Sequence, residues 1–250
     1  MPSRVAAYIE ELKQSKDWLM FLRESSGLPG PRGNLELADA FAQVAPEALI
    51  RQAAALGPDE APENTPDGYV AFCGVQALGR LAAEGQAEPL VQLRLLAADP
   101  RWRVREAVAR GLQILGDSDM DRLIKAVHDW QGSPYERRAA IAALCEPRLL
   151  AEVRHQDDVF RHLDLATHSF EEADDTRTEG MQVLRKGLAY AWSVAVVAYP
   201  SKGKPAMQAW LASTQRDIMW IMKQNLAKKR LSRMDPGWVR ACRCQIPDAS

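Results

Sequence analysis

The sequence predicts an all-α protein, folded as a right-handed α-solenoid of stacked antiparallel helical hairpins. Apolar residues recur at helical spacing along most of the chain, and no stretch between the helical segments alternates as a strand would. Capping residues, glycines and prolines divide these segments into pairs. We therefore expect one domain over residues 1–250, with N-terminal helices at 1–56, central repeats at 67–170 and basic C-terminal repeats at 176–244.

The first 56 residues are predicted to form three helices. An apolar stripe runs from Ser3 to Arg23, and the Ser3 hydroxyl can cap its first turn. The loop at 25–33 is rich in glycine and proline and must end that helix. Residues 34–44 and 46–56 then form a pair, because an asparagine and a proline stand where helices begin.

The central repeats follow an acidic, proline-rich connector at 57–66. Helices over 67–83 and 88–98 lead to Asp99–Leu115, where valines and leucines at helical spacing make one face apolar. Asp99-Pro100 marks the start of that helix. A carboxylate can accept hydrogen bonds from the first backbone N–H groups, and proline has no backbone N–H group that would need a partner there. Further helices are expected over 117–130, over 133–145 and from Pro147 to about Phe170.

The segment Ser133–Ile141 (SPYERRAAI) has the same pattern as Asp99–Leu115 (DPRWRVREAVARGLQIL). Equivalent residues stand 33 positions apart, as Arg105 and Arg138 do. The pattern resembles the inner helix of a HEAT repeat, in the compact form found in repeats of the phycobilisome-lyase type. The resemblance implies stacked hairpins whose inner helices line a concave surface. It also leaves a lyase acting on a small molecule as a remote functional alternative.

The C-terminal part is predicted to contain one long helix and a final helical pair. The long helix covers Thr176–Tyr199 and is apolar all round over 189–198, where three β-branched valines leave a strand as the alternative. A turn at 201–205 separates it from helices over 206–212 and 214–229. A short capping segment follows Asp235-Pro236-Gly237 and ends in a frayed tail, 246–250.

Charge is distributed unevenly along the chain. Residues 201–244 hold ten Lys or Arg and two Asp or Glu, a balance of +8 that leaves about −9 elsewhere, because the net charge is −1. A basic stripe with an exposed aromatic suits phosphates and base stacking, whereas the alternative is a solvated helix face. The candidate nucleic-acid-binding residues are Arg216, Trp220, Lys223, Lys228 and Lys229.

The run Asp217–Leu231 (DIMWIMKQNLAKKRL) resembles terminal repeats of HEAT-like DNA alkylation-repair proteins. The resemblance implies a DNA-binding protein of the alkylpurine DNA glycosylase type, which recognises alkylated purines on a basic concave surface. The tryptophan–aspartate active-site motif of the better-known members is not found in this sequence. No catalytic residue can therefore be assigned by position.

Three residues near the repeat starts are candidates for partner binding or for contacts between repeats: Trp102, Arg105 and Arg138. The two arginines occupy the repeat arginine position, where they could line an anion-binding groove. In HEAT repeats that position commonly forms hydrogen bonds between repeats, and we favour this structural role. Trp102 stands at the start of its helix.

His155, Asp158 and His162 fall on one face of a predicted helix, at a spacing that could present metal ligands. A polar, solvated face is the preferred interpretation. The four cysteines form no CxxC pair, and the sequence has no GxGxxG, Walker-type or HExxH motif. We therefore expect no metal and no cofactor.

The function expected from these observations is a non-catalytic scaffold that binds a protein partner through its concave surface. DNA binding of the alkylation-repair type is the alternative, and an enzyme, if this is one, would resemble a DNA glycosylase. Scattered cysteines and a charged N-terminus without an apolar core predict a cytoplasmic protein with reduced thiols. The longest apolar run, 189–199, is far shorter than the ~20 residues that a spanning helix needs, so no membrane contact is expected.

Overall fold

The computed structural model describes residues 3–245, which form fifteen α-helices and two short 3₁₀ helices without a strand. The all-α prediction is confirmed. The alternative of a strand near Val194–Val197 is wrong, because these residues lie inside a helix. The chain divides into two compact units between Asp119 and Met120.

Seven helices form unit 1, and the fifth is its centre. These are α1 (Arg4–Gln14), α2 (Trp18–Glu24), α3 (Leu35–Val44), α4 (Glu47–Ala54), α5 (Pro66–Ala83), α6 (Glu88–Leu96) and α7 (Trp102–Ser118).

Helix α5 is buried along most of its length and packs against α2, α3, α4, α6 and α7. At Gly79 and Gly111 the backbones of α5 and α7 meet directly. A Cβ atom at Gly79 would lie 2.0 Å from the carbonyl oxygen of Gly111. The two helices can approach this closely because both positions lack a side chain.

The predicted caps at Ser3 and Asn34 are confirmed, but the single helix predicted over 3–23 is two helices. The Ser3 hydroxyl accepts a hydrogen bond from Ala6 N (3.2 Å), and the Asn34 side chain accepts from Leu37 N (3.1 Å). The helix expected over 3–23 ends at Gln14, since Ser15 is extended and Asp17 caps a new helix by accepting from Met20 N at 3.0 Å. The apolar stripe continues across the break, and for this reason the sequence pattern did not indicate the break.

The start of α7 differs from the prediction. Asp99 does not cap the helix. Its carboxylate accepts from Arg101 N (2.8 Å) and pairs with the Arg101 guanidinium (2.8 Å), so the helix begins at Trp102. Helix α7 also runs on to Ser118, and the helix expected from Asp117 begins only at Met120.

Unit 2 is built around one long helix, α11. Its α-helices are α8 (Met120–Val127), α9 (Pro134–Leu144), α10 (Gln156–Glu172), α11 (Glu179–Ala198), α12 (Pro200–Trp210), α13 (Arg216–Leu226), α14 (Lys229–Met234) and α15 (Pro236–Gln245). Helix α11 packs against α9, α10, α12, α13 and α14. Helix α9 is capped by the Ser133 hydroxyl, which accepts from Glu136 N (3.2 Å).

Three predicted boundaries in unit 2 are wrong. Pro147 begins a 3₁₀ turn, a second one follows at Val153–His155, and α10 starts only at Gln156. The expected turn at 201–205 lies inside α12, which has Pro200 in its first turn and Pro205 in its interior. The single helix predicted over 214–229 is two helices, because α13 ends at Leu226 and α14 begins at Lys229. The capping segment is α15, and the tail at 246–250 lies outside the described residues.

Candidate functional site

The repeat arginine of unit 1, Arg105, is buried beside its own helix start. Its guanidinium donates to the carbonyl oxygens of Asp99 (2.7 Å) and Pro100 (3.1 Å). The nearby Arg101 is also buried and donates to the carbonyl oxygens of Leu56 and Ala61 (each 3.0 Å). These arginines satisfy backbone carbonyls that would otherwise be buried without a partner.

Trp102 lies at the exposed N-terminal end of α7, with 51% of its surface accessible. The guanidinium of Arg103 lies over its ring, 4.4 Å from the ring centroid. Arg103 in turn donates to the Glu63 carboxylate (2.6 Å) and to the Gly30 carbonyl (3.0 Å). The indole is therefore held in place from one side and open to solvent on the other.

The five basic-stripe candidates lie on two helices instead of one. Arg216, Trp220 and Lys223 belong to α13, whereas Lys228 caps α14 and Lys229 begins it. The Trp220 ring is covered by the Arg185 guanidinium (3.9 Å to the centroid), which also pairs with Asp217 at 2.9 Å. Trp220 is only partly exposed, and a cation from the same chain covers one face of its indole.

A different aromatic residue stands exposed among cations in unit 2. Tyr190 of α11 is 48% exposed, and the Arg230 guanidinium lies 4.4 Å from its ring centroid. Lys186 precedes Tyr190 by one helical turn and is exposed on the same side. The Cγ of Arg138 lies 3.3 Å from where a Cβ atom of Gly187 would be. We name these four residues, Arg138, Lys186, Tyr190 and Arg230, the basic face.

The sequence did not single out Tyr190, because the apolar run 189–198 predicts a core helix. The tyrosine nevertheless follows Lys186 by four residues, which is the spacing of one helix face. Arg230 could not be placed beside it from sequence, since that contact depends on the break between α13 and α14. Arg138 was a candidate for partner binding or inter-repeat contacts, and Arg230 was expected to join the basic stripe only if the helix from 214 continued, whereas Lys186 and Tyr190 were not singled out.

Acidic partners are few around the C-terminal cations. Asp217 pairs with Arg185 (2.9 Å), and Asp235 pairs with Lys204 (2.6 Å). The hydrogen bond from Lys204 lowers the pKa of Asp235, so that this carboxylate stays ionised. The two acidic residues of 201–244 are thus engaged, and Lys202 has a partner outside the segment, Asp157 at 2.6 Å.

The histidines of the possible metal site are buried, not solvated. His155 precedes α10 and has its Nε2 at 3.0 Å from the Asp121 carboxylate. The ring nitrogens of His162 lie 2.8 Å from the Asp158 carbonyl and 3.2 Å from the Val127 carbonyl, and burial lowers the pKa of this imidazole. Within residues 3–245 no group of three or more His, Cys, Asp or Glu side chains is placed to hold a metal ion.

Comparisons with known proteins provide no family. No protein-family model matches the chain, and no curated protein matches it. Among solved structures, the chain is similar to the crystal structure of an engineered protein, a target of the Northeast Structural Genomics Consortium. The sequence identity is 15% over 93% of this chain and 98% of that one, with a TM-score of 0.37. A similarity at this level carries no argument about fold or function. In the described part of the chain, no helix has the length and apolar character needed to cross a membrane.

Proposed function

We propose that this chain is a HEAT-like helical-repeat protein whose unit 2 binds nucleic acid through the basic face. Within unit 1, α5 packs against both α3 and α7, and within unit 2, α11 packs against both α9 and α13. Helices that alternate along the chain are neighbours in each unit, as they are in stacked hairpins. The proposal includes a cytoplasmic location, which the four free cysteines support.

The observation that carries the proposal is the Tyr190–Arg230 pair beside Lys186. Lysine and arginine side chains neutralise phosphates and release the counterions that surround a nucleic acid. An exposed tyrosine ring and a guanidinium plane both offer flat surfaces on which a base can stack. The basic face therefore holds both kinds of group that a nucleic-acid interface needs.

Several arginines of unit 1 have carboxylate partners within their own unit. In unit 1, Arg101, Arg103 and Arg110 each pair with a carboxylate at 2.8 Å or less. Of the basic face, Arg230 lies in residues 201–244, where cations outnumber acids by ten to two and where Lys202 and Lys204 pair with Asp157 and Asp235. A local positive potential can bind a polyanion even though the whole chain has a net charge of −1.

Fluorescence-anisotropy binding tests this function. Labelled single-stranded and duplex DNA would be titrated with the protein at about 50 and about 200 mM salt. We expect saturable binding that weakens steeply at the higher salt. The variant Lys186→Glu/Arg230→Glu should bind at least about tenfold more weakly, and its salt slope should be smaller by roughly two, since two phosphate contacts are lost.

The matched control is Lys13→Glu/Lys125→Glu, which changes the net charge equally at exposed positions that are not part of the basic face. This variant should bind DNA like the native protein. Equal losses in both variants, or no binding at the lower salt, would contradict the proposed function. If binding is found, release of a base from alkylated DNA tests the narrower alternative of a glycosylase.

A protein scaffold is the second candidate function, and one surface favours it. Val91 and Leu95 are 60% and 74% exposed and lie one turn apart on α6. Exposed apolar pairs of this kind often mark protein contacts. If a partner binds there, Val91→Asp/Leu95→Asp should lose a co-purifying protein that the native chain retains, while DNA binding is unchanged.

A further inference from the structure

Unit 1 contains a cleft of 230 Å³ with an aromatic lining. Tyr69 and Phe72, on adjacent turns of α5, form its buried floor, with an interplanar angle of 11° between their rings and centroids 6.2 Å apart. Leu35 and the half-exposed Trp102 complete the apolar part of the lining, and Arg103 and Glu106 of α7 also line the cleft. Apolar clefts with flat aromatic walls are typical sites for planar ring systems.

The walls of the cleft are fixed by hydrogen bonds between distant segments. Arg103 joins Glu63 of the connector to Gly30 of the loop at 25–33, and Gly30 N donates to the Asn64 side chain at 3.2 Å. The Tyr69 hydroxyl donates to the Asn34 carbonyl at 2.6 Å. A Cβ atom at Gly33 would lie only 3.2 Å from the Tyr69 ring, so the loop is pressed against the aromatic wall. The cleft is therefore formed before any ligand arrives.

A polar depression of 300 Å³ adjoins the cleft, and the two share Arg32 and Gly33 in their lining. Arg4 also lines the depression, and its side chain and that of Arg32 are exposed, Arg32 at 70%. Glu36 lies there too, with its carboxylate 4.0 Å from Arg32. The charged groups that line the depression are thus two guanidiniums and one carboxylate, which favours an anion.

We infer that unit 1 binds a small ligand that joins a planar aromatic ring to an anionic group, of the class of mononucleotides. The ring occupies the cleft and stacks on the half-exposed Trp102, above a floor formed by the buried Tyr69 and Phe72. The phosphate occupies the depression, where Arg4 and Arg32 provide charge-assisted hydrogen bonds. The volumes of cleft and depression together fall within the range of small-molecule sites, about 300–1,000 Å³.

Calorimetric titration of the full chain tests this inference with three probes: adenosine 5′-monophosphate, adenosine and ribose 5-phosphate. The monophosphate should bind saturably. Adenosine lacks the anion and ribose 5-phosphate lacks the ring, so each should bind at least about tenfold more weakly. These probes distinguish a site for both groups from a site for only one.

Four variants place the binding in the two cavities. Trp102→Ala and Arg32→Ala should each weaken monophosphate binding by about tenfold or more. Glu36→Gln should strengthen it, because a negative charge near the phosphate is removed. Lys16→Ala changes an exposed cation of unit 1 outside the lining residues and should leave the affinity unchanged. Circular dichroism of each variant checks that the fold is intact.

The inference is overturned if the monophosphate does not bind saturably, if adenosine binds equally well, or if folded Trp102→Ala and Arg32→Ala variants bind like the native chain. It does not depend on the proposed nucleic-acid function, because the basic face lies in unit 2. Lys186→Glu/Arg230→Glu should therefore bind the monophosphate normally.

Discussion

Asn225 shows how one polar residue can connect two helices of unit 2. It is fully buried on α13, and its amide oxygen accepts from Ser193 N at 2.8 Å. Its amide nitrogen donates to the Leu188 carbonyl (2.9 Å) and to the Ile221 carbonyl (2.8 Å). Both backbone groups on α11 thus have a partner from another helix. In the sequence this asparagine lies beside the apolar stripe of its helix, and nothing indicates that it contacts α11.

Replacing Asn225 with leucine should lower the free energy of unfolding by about 3 kcal/mol, since each buried group left without a partner costs about 1–3 kcal/mol. Leucine is close to asparagine in size, so the loss would come from hydrogen bonds more than from a cavity. Urea denaturation followed by circular dichroism measures the change. Gln224→Ala, on the same turn, should stay within about 0.5 kcal/mol of the native value. Equal effects at both positions would contradict the assigned role.

At the scale of helices, the prediction succeeded where local signals and packing agree. The helix at 66–83 and the one at 134–144 have threonine and serine caps followed by proline, and both were predicted to within one residue. The segment 201–205 was predicted as a turn because lysine, glycine and proline dominate it. Tertiary contacts override this local preference for a turn, and the segment is helical. A Cβ atom at Gly203 would lie 2.7 Å from the Cα of Val196 and 2.8 Å from the Phe160 ring.

Gly203→Ala should therefore destabilise the protein by about 1–3 kcal/mol, although alanine is the better helix former by about 1 kcal/mol. The added methyl group would force α12 away from α11 and from Phe160. Gly237→Ala is the matched control, because that helical glycine is exposed and a Cβ atom there meets only an ordinary contact at 3.5 Å. Thermal unfolding of both variants should show a lower melting temperature for Gly203→Ala alone. A stabilised Gly203→Ala variant would show that the two helices are not in close contact.

At the scale of the whole molecule, the sequence predicted the excess of positive charge but not the surfaces that carry function. The count of charged residues over 201–244 needs no structure. The basic face needs the contact of Arg230 with Tyr190, and the cleft needs three helices and a loop to meet. Such arrangements depend on which side chains face each other across helices. Residue spacing along one helix does not contain that information.

Acid sensitivity is also a property of the whole folded chain, and His162 should contribute to it. Burial lowers the pKa of this imidazole below the usual value near 6.5, so the unfolded chain takes up a proton at a higher pH than the native protein does. The stability contributed by neutral His162 is complete above about pH 6.5 and is lost as the pH falls through the native pKa.

The measurement is the free energy of unfolding at about pH 7.5 and about pH 5 for the native protein and His162→Gln. The native protein should lose more stability between the two pH values than the variant. His168→Gln is the control, because that histidine is exposed and lies 2.9 Å from Glu171. If native protein and His162→Gln respond identically to pH, the assignment to His162 is wrong.

The contact between Gly79 and Gly111 has a consequence for how this sequence can change over generations. Any side chain at position 79 would overlap the backbone of α7, whereas a Cβ atom at position 111 would meet its nearest atom at 3.1 Å. Position 111 can therefore accept alanine at a modest cost in stability, but position 79 accepts no residue other than glycine. Related sequences that retain the contact between the two helices should therefore keep glycine at position 79 even where many surface residues differ.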